Sequence, residues 1–470
     1  MADNTTGAMQ EFGGSQGPSS LRRLKAGLVL LYAENFAELP AAWLLAAERT
    51  VIGRETGADL PLPVPAVSRR HAELAWSGEE FVLRDLDSRN GTLLDGSSIS
   101  SAVLEHASEL RIGDAILKFV EKHADSYAAY RIDGSMREGR RLAKHPTALV
   151  GGYTMDRVAA EVERIAPTEL SVMLLGESGT GKEVVASELH RLSGRRGAFS
   201  AVNCAAIPGT LIESELFGYK RGAFSGAERD KHGLIRAAHE GTLLLDEIGD
   251  MPLEAQGKLL RVLQAKEVSP LGATAPERVD VRIICATHRD LSRLQQTGKF
   301  REDLFARLNE YQLRLVPLRE RKEDIYMLVR AFLARHGRPE LEPSFKFMTG
   351  LLHYDWPYNV RELEACIKRC VALSDGPRID EQHLPEAVRE AVADYGQPLG
   401  ELRGERSSSL PTPTERPSQP SRATPSETEL RNLLDRHQGN IAAVGRELGK
   451  ARMQVHRWMK KYGIAIEEYR

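Results

Sequence analysis

Residues 171–192, SVMLLGESGTGKEVVASELHRL, constrain this chain more than any other stretch. The apolar run VMLL reads as a buried strand, and KEVVASELHRL carries apolar residues at helical spacing. Between them Gly176, Glu177, Ser178, Gly179, Thr180, Gly181 and Lys182 make a glycine-rich turn, which lets the main chain approach a ligand closely. A helix start that follows such a turn presents outward N–H groups to an anion, and the lysine reaches the β- and γ-phosphates. The generic loop places Ser or Thr after the lysine to help hold magnesium, but here the residue is Glu183. Taken alone, the pattern also fits an ordinary strand-to-helix turn.

A second string narrows the choice. In GTLLLDE an apolar strand ends in Asp246 and Glu247. Two carboxylates at the end of a buried strand are costly to desolvate unless they are used. Asp246 can hold a magnesium ion, directly or through water, and Glu247 can orient and deprotonate an attacking water. The runs LSVMLLG, GTLLLDE and VRIICAT alternate with helical stretches, which predicts an α/β fold around a mostly parallel sheet over residues 149–320. Residues 321–390 read as a helical lid.

A chain of 470 residues is too long for one ordinary domain. Residues 1–22 are polar and glycine-rich, reading as a disordered tail rather than a signal peptide. Residues 23–122 hold short β-prone runs between turn residues and predict an all-β sandwich, followed by a helical connector at 123–148. Residues 391–425 are rich in Pro, Ser and Thr and read as a disordered linker; residues 426–470 regain helical period, opened by a Ser426–Glu429 capping box. With 64 Lys plus Arg against 66 Asp plus Glu, overall charge names no partner. Four scattered cysteines fit a reducing cytoplasm, and Cys366 and Cys370 read as ordinary thiols rather than a zinc site. No apolar stretch approaches the roughly twenty residues of a membrane helix, so a soluble cytoplasmic protein with no membrane partner is expected.

Residues 149–390 resemble the AAA+ domain of bacterial enhancer-binding activators, which work with the alternative sigma factor sigma-54. The resemblance rests on GESGTGKEVVASELH, VNCAAIPGTLIESELFGYKRGAFSGA, GTLLLDEIGDMPLEAQGKLLRVLQ, VDVRIICATHRDL, GKFREDLFARLN, PLRERKEDI and WPYNVRELE, in the family's order. In that family the phosphate loop itself ends in Lys-Glu, so Glu183 is the family's own form. The resemblance implies ATP and Mg2+ as cofactors, the metal leaning on phosphates, waters and Asp246. It implies that Asn203 restrains the catalytic Glu247, and that Thr287 and His288 form the sensor at a strand end, where the family commonly has Thr-Asn. It implies that Arg301 and Arg307 reach into a neighbouring subunit's site, and that Arg361 is the lid's sensor arginine, with Tyr358 in place of the family's glycine. Gly222, Ala223, Phe224, Ser225, Gly226 and Ala227 match the loop that engages sigma-54 RNA polymerase holoenzyme, with Ser225 where threonine is usual. Dimers assembling into a hexameric ring are the family's form of homo-oligomer.

The order VIGRE, VSRRHAEL, DSRNGTLLDG resembles a forkhead-associated (FHA) domain. That implies phosphothreonine binding by Arg54, Ser68, Arg69 and Asn90, and hence a phosphorylated protein or its kinase as partner. Gly53, His71 and Gly91 read as loop-holding residues. A phosphate wants guanidinium forks and hydroxyl or amide donors on rigid loops, which these residue types supply. Residues 426–470 resemble a Fis-type helix-turn-helix for upstream enhancer DNA. Between Arg446 and Lys461 stand six Lys or Arg and one Glu, a local basic stripe. Lys450, Arg452, Gln454, Arg457 and Lys461 are its candidate DNA contacts; a basic amphipathic helix for a protein partner would look similar. The expected function is an FHA-gated, ATP-driven activator of sigma-54 transcription. The rival is a phosphothreonine-reading repressor or scaffold whose ATPase serves assembly alone.

Overall fold

Strands of one or two faces can be told apart by how many of their residues are buried. In the computed structural model, which describes residues 25–130, 147–392, 395, 425–437, 439, 441–448, 455, 458, 459, 461–464 and 469, both kinds occur. The chain divides into two units, residues 129–389 and residues 1–128 together with 390–470.

Among the described residues the first β-rich block forms a six-stranded and a five-stranded sheet. Ala72–Trp76 and Phe81–Asp85 bury alternate residues (Ala72, Leu74, Phe81, Leu83), as half-exposed strands should. Phe81 of one sheet meets Phe119 of the other edge-on at 5.3 Å between ring centroids, so the expected sandwich is present. Gly27–Ala33 and Ala115–Val120 are buried along their whole length. Their outer face is covered by the short helix Ala124–Ala128, where Ala124, Tyr127 and Ala128 pack with Val29, Ala42 and Val120. The sequence reading had put residues 124–128 in the connector; the fold uses them as a lid on an apolar sheet face.

The other unit contains a five-stranded parallel sheet in the order Phe199–Asn203, Thr242–Asp246, Arg282–Thr287, Val172–Leu175, Tyr311–Arg314. The three central runs, Thr242–Asp246, Arg282–Thr287 and Val172–Leu175, show no simple alternation because both faces are covered, whereas the edge strands Phe199–Asn203 and Tyr311–Arg314 are partly exposed. Met173, Leu243, Leu245, Ile283 and Cys285 enter one core, whereas Val172, Leu174, Leu244, Ile284 and Ala286 enter the other. In-register pairing sets Asn203 opposite Asp246 and Leu175 opposite Thr287. The carboxyl ends of adjacent strands therefore share one rim, the place where open α/β sheets bind ligands.

The lid follows with helices Ile325–Arg335, Phe345–His353 and Asn359–Leu373. It is not purely helical: Glu342–Pro343 pairs in parallel with Arg378–Ile379. Trp356, fully buried, donates its indole N–H to Leu351 O at 2.8 Å. At the C-terminus Glu427–Arg436 opens with the expected reciprocal cap between Ser426 and Glu429, and Ile441–Leu448 follows. Leu430, Leu434, Val444, Val455, Trp458 and Met459 share one core. Among the described residues no helix is long and apolar enough to cross a membrane.

Candidate functional site

The glycine loop leaves Leu175 and turns into the helix Lys182–Leu192 at Gly181, which takes a left-handed φ of 104°. Lys182 is buried, and its ammonium donates to Gly176 O at 2.8 Å and Glu177 O at 3.1 Å. Burial pushes this ammonium's pKa down, opposed by the charges of Glu247 and Asp246. Glu183 points to solvent from the first helical turn.

The lid closes directly on this loop. A Cβ at Gly179 would stand 2.1 Å from Tyr358 O, so only glycine fits there. Val360 N donates to Gly179 O at 3.0 Å, Asn359 Nδ2 reaches Ser178 O and Glu177 Oε2, and Arg361 Nη1 reaches Ser178 Oγ at 3.3 Å. Arg319 makes a bidentate pair with Glu177, and Arg321 Nη2 donates to Thr180 O. Burial disfavours the Glu177 carboxylate, but Arg319 outweighs it and holds the pKa below the usual range. The family match had pointed to Arg361 alone; Arg319, Arg321 and Asn359 complete the clamp. Their sequence signal was their place inside the motifs PLRER and WPYN themselves.

At the neighbouring strand ends, Asp246 is half-buried and its pKa is raised, by burial first and by the charge of Glu247 second. Glu247 N donates to Asp246 Oδ1 at 3.0 Å, and Glu247 takes a left-handed backbone, φ 51° and ψ 48°. Its carboxylate meets His288 Nδ1 at 2.7 Å. Asn203, set beside Asp246, uses Oδ1 to accept from Ala205 N at 2.9 Å and caps the turn Cys204–Ala206. Among the described residues Asn203 makes no hydrogen bond to Glu247. Thr287 is buried and its hydroxyl accepts from Arg289 N. The Cys204 thiol is pushed up to about 12, chiefly by burial and then by the Asp246 charge, so it stays an inert thiol.

These residues fit a nucleotide with a divalent cation. The loop and Lys182 suit phosphates. The crowded pair Asp246 and Glu247 is a donor set that a cation would relieve, and magnesium is commonly held by one or two carboxylates plus phosphate oxygens. Arg301 and Arg307 lie outside this cluster. Arg301 pairs with Asp303 at 2.7 Å and Arg307 with Glu310 at 3.4 Å, both guanidinium side chains about half exposed. Among the described residues neither hydrogen-bonds to the phosphate loop of its own chain.

The GAFSGA string caps the hairpin formed by Gly218–Tyr219 and Lys231–His232. Gly222 and Gly226 take φ of 82° and 100°. Gly222 N donates to Ala227 O and Ala227 N to Phe224 O, closing the tip. Phe224 is 44% exposed, and its ring rests edge-on against Tyr219 at 4.9 Å. A second hairpin, Glu267–Val268 with Glu277–Arg278, supports it. Leu271 exchanges backbone hydrogen bonds with Lys220 and Gly218, and Gly272 lies against Ala223. Sequence reasoning missed this support; SPLGATAP, a turn-rich insertion between apolar elements, was the available signal.

In the β-sandwich, three loops converge. Arg54 N donates to Ser68 O, Ser68 Oγ accepts from Arg89 N at 3.1 Å, and Asn90 Nδ2 donates to Ala66 O at 2.7 Å. Arg54, Arg69 and Asn90 are exposed and Ser68 half-buried. A Cβ at Gly53 would sit 2.0 Å from Arg69 O. His71 is fully buried: its Nδ1 accepts from Ser68 N and its Nε2 faces Gly91 O, joining two loops as expected. Burial lowers its pKa, against the pull of Gly91 O and the Asp85 charge. The unfolded chain therefore binds this proton more readily, so the stabilisation is complete above the ordinary value of 6.5 and is lost as pH falls below it. Urea unfolding should show stability falling between about pH 7 and pH 5.5, by at most about 1.4 kcal/mol per unit from this group. His71→Gln should flatten that slope; an unchanged slope would remove His71 as its source.

Residues 150–314 match the sigma-54 interaction domain, residues 319–398 the AAA+ ATPase lid domain and residues 50–113 the FHA domain. The chain is 40% identical to the regulatory protein AtoC of Escherichia coli K12 over 321 residues, covering 67% of this chain and 68% of AtoC. It belongs to the sigma-54-dependent transcriptional regulators. Against the DNA-binding transcriptional regulator NtrC of Azospirillum brasilense this regulator is 49% identical over 255 residues, 53% of each chain, so it spans about half of that relative's length. The crystal structure of NtrX from Brucella abortus in complex with ATP aligns at 32% identity and a TM-score of 0.49, covering 67% of this chain and 70% of that one.

The regulator's C-terminal candidates are only partly visible. Lys461 is exposed, with its ammonium 5.7 Å from the Tyr462 ring. Lys450, Arg452, Gln454 and Arg457 lie outside the described residues.

Proposed function

We propose that this regulator is an ATP-dependent activator of sigma-54 RNA polymerase, working in the cytoplasm on upstream enhancer DNA under phosphothreonine control. The observation that carries the proposal is one parallel-sheet unit bearing both the Lys182, Asp246, Glu247 cluster and the glycine-hinged Phe224 tip. Lys182 and the loop N–H groups hold the phosphates, and Glu247 takes a proton from the attacking water. Asp246 would hold Mg2+, which when bound would supply charge neutralisation at the phosphates. Arg301 and Arg307 complete a neighbouring subunit's site in a ring, hexameric in this family, and the Phe224 tip carries the change to sigma-54. The C-terminal helices, with Lys450, Arg452, Gln454, Arg457 and Lys461, read enhancer DNA as a helix-turn-helix.

Arg54, Ser68, Arg69 and Asn90 bind the phosphothreonine. A phosphothreonine peptide that binds the wild type should lose at least about tenfold in affinity with Arg54→Ala or Ser68→Ala, each removing a donor to a doubly charged phosphate. Isothermal titration checks this, and equal binding of the unphosphorylated peptide would sink the assignment. The experiment for the whole proposal is transcription from a sigma-54 promoter with purified regulator and ATP, with and without that peptide. No ATP-dependent transcript under either condition would refute the activator reading.

A further inference from the structure

We infer that His288 is the positioning residue for Glu247: its Nδ1–H fixes the carboxylate that faces the attacking water. The inference rests on the ATP-hydrolysing reading of the site and assigns a role that this chain gives to neither Asn203 nor a lid residue.

The contact is short, 2.7 Å from His288 Nδ1 to Glu247 Oε2. A carboxylate only accepts, so Nδ1 carries the proton in this pair. Both partners stand on fixed backbone. Glu247 is held in its left-handed conformation between its own N–H bond to Asp246 and a turn in which Asp250 N donates to Glu247 O. His288 follows Thr287, whose carbonyl accepts from Gly176 N at the root of the phosphate loop and whose hydroxyl accepts from Arg289 N. Next to the pair, Arg289 meets Asp250 at 2.7 Å. Two parallel contacts thus tie residues 288–289 to the 247–250 turn. Asn203, whose Oδ1 accepts from Ala205 N, donates no hydrogen bond to Glu247 among the described residues. Glu247 is mostly buried, with its side chain 12% exposed, and His288 is 47% exposed, so the imidazole closes the carboxylate off on the solvent side. Fixing a general base at one orientation matters because a displacement of about 1 Å can cost about a hundredfold in rate.

The geometry separates this role from phosphate sensing. Asparagine places its amide nitrogen where histidine has Nδ1, whereas glutamine reaches the place of Nε2. Among the described residues Nε2 of His288 has no hydrogen-bond partner. His288→Ala should lower kcat for ATP by about tenfold to a hundredfold while nucleotide affinity, read with a fluorescent ATP analogue, changes less than about threefold. His288→Asn should recover most of the rate, and His288→Gln should not. Rescue by glutamine instead of asparagine, or a loss of affinity as large as the loss of kcat, would overturn the inference in favour of a phosphate contact. The contact is also read without turnover, by the tautomer of the His288 ring in NMR spectra of the labelled protein. Nδ1–H in the wild type that is lost in Glu247→Leu, which removes the acceptor, supports it, and a wild-type ring protonated on Nε2 alone overturns it. A wild type that shows the Nδ1–H contact but hydrolyses no ATP would refute the ATPase reading and leave the contact standing.

Discussion

Replacing Phe224 with alanine is expected to abolish sigma-54-dependent transcription while ATP hydrolysis stays within about twofold of wild type. The ring is 44% exposed and touches Tyr219 only along an edge, so its removal opens no cavity in the sheet. The loop conformation does not depend on the ring either. It is set by the positive φ of Gly222 and Gly226 and by the backbone bonds Gly222 to Ala227 and Ala227 to Phe224. An aromatic anchor at the centre of a contact typically costs about 2–4 kcal/mol when truncated, which is about thirtyfold to a thousandfold in binding. Loss of the methyl at Ser225 relative to threonine keeps a hydroxyl, so Ser225→Thr should leave activation intact. In vitro transcription alongside phosphate release measures both arms. Activation retained by Phe224→Ala would sink the loop assignment; a parallel loss of ATPase would make the loop part of the nucleotide site instead.

Local features of this chain were legible because they repeat at short range. The helix Lys182–Leu192 begins and ends where its apolar period and the preceding glycines place it. The three central sheet strands matched their apolar runs, since a strand buried on both faces is a continuous hydrophobic string, whereas the partly exposed edge strands Phe199–Asn203 and Tyr311–Arg314 carry no such run. What stayed hidden was long-range polar pairing, which leaves no period. Glu177 meets Arg319 across a separation of 142 residues and Asn359 across 182. Nothing in the loop motif marks its glutamate as the anchor of the lid. Asn203 carries a local use that family likeness did not indicate: asparagine is among the best caps of a helical turn, and its Oδ1 caps Cys204–Ala206. The Ala124–Ala128 helix lies in the connector expected to be helical, but its packing onto the sheet was not legible, because five residues are too few to show which face is apolar.

The second large effect tests where the active site is completed. Arg301→Ala and Glu247→Gln should each lower ATP hydrolysis by about a thousandfold, the scale of losing a trans-acting arginine or a general base. Neither variant should fail to fold: Arg301 and its partner Asp303 are both exposed, and Glu247→Gln keeps the size of its side chain. Mixed in equal amounts, the two inactive proteins should regain activity. An interface in the mixed ring works when the subunit holding the nucleotide keeps Glu247 and its neighbour keeps Arg301. Random assembly meets both conditions at about one interface in four, so about a quarter of wild-type turnover is expected from a heterologous ring contact. Measuring phosphate release against mixing ratio then gives a maximum at equal amounts and none at either end. Flat, near-zero activity across all ratios would mean that Arg301 serves its own subunit, and the same design applied to Arg307 asks which of the two arginines crosses the interface.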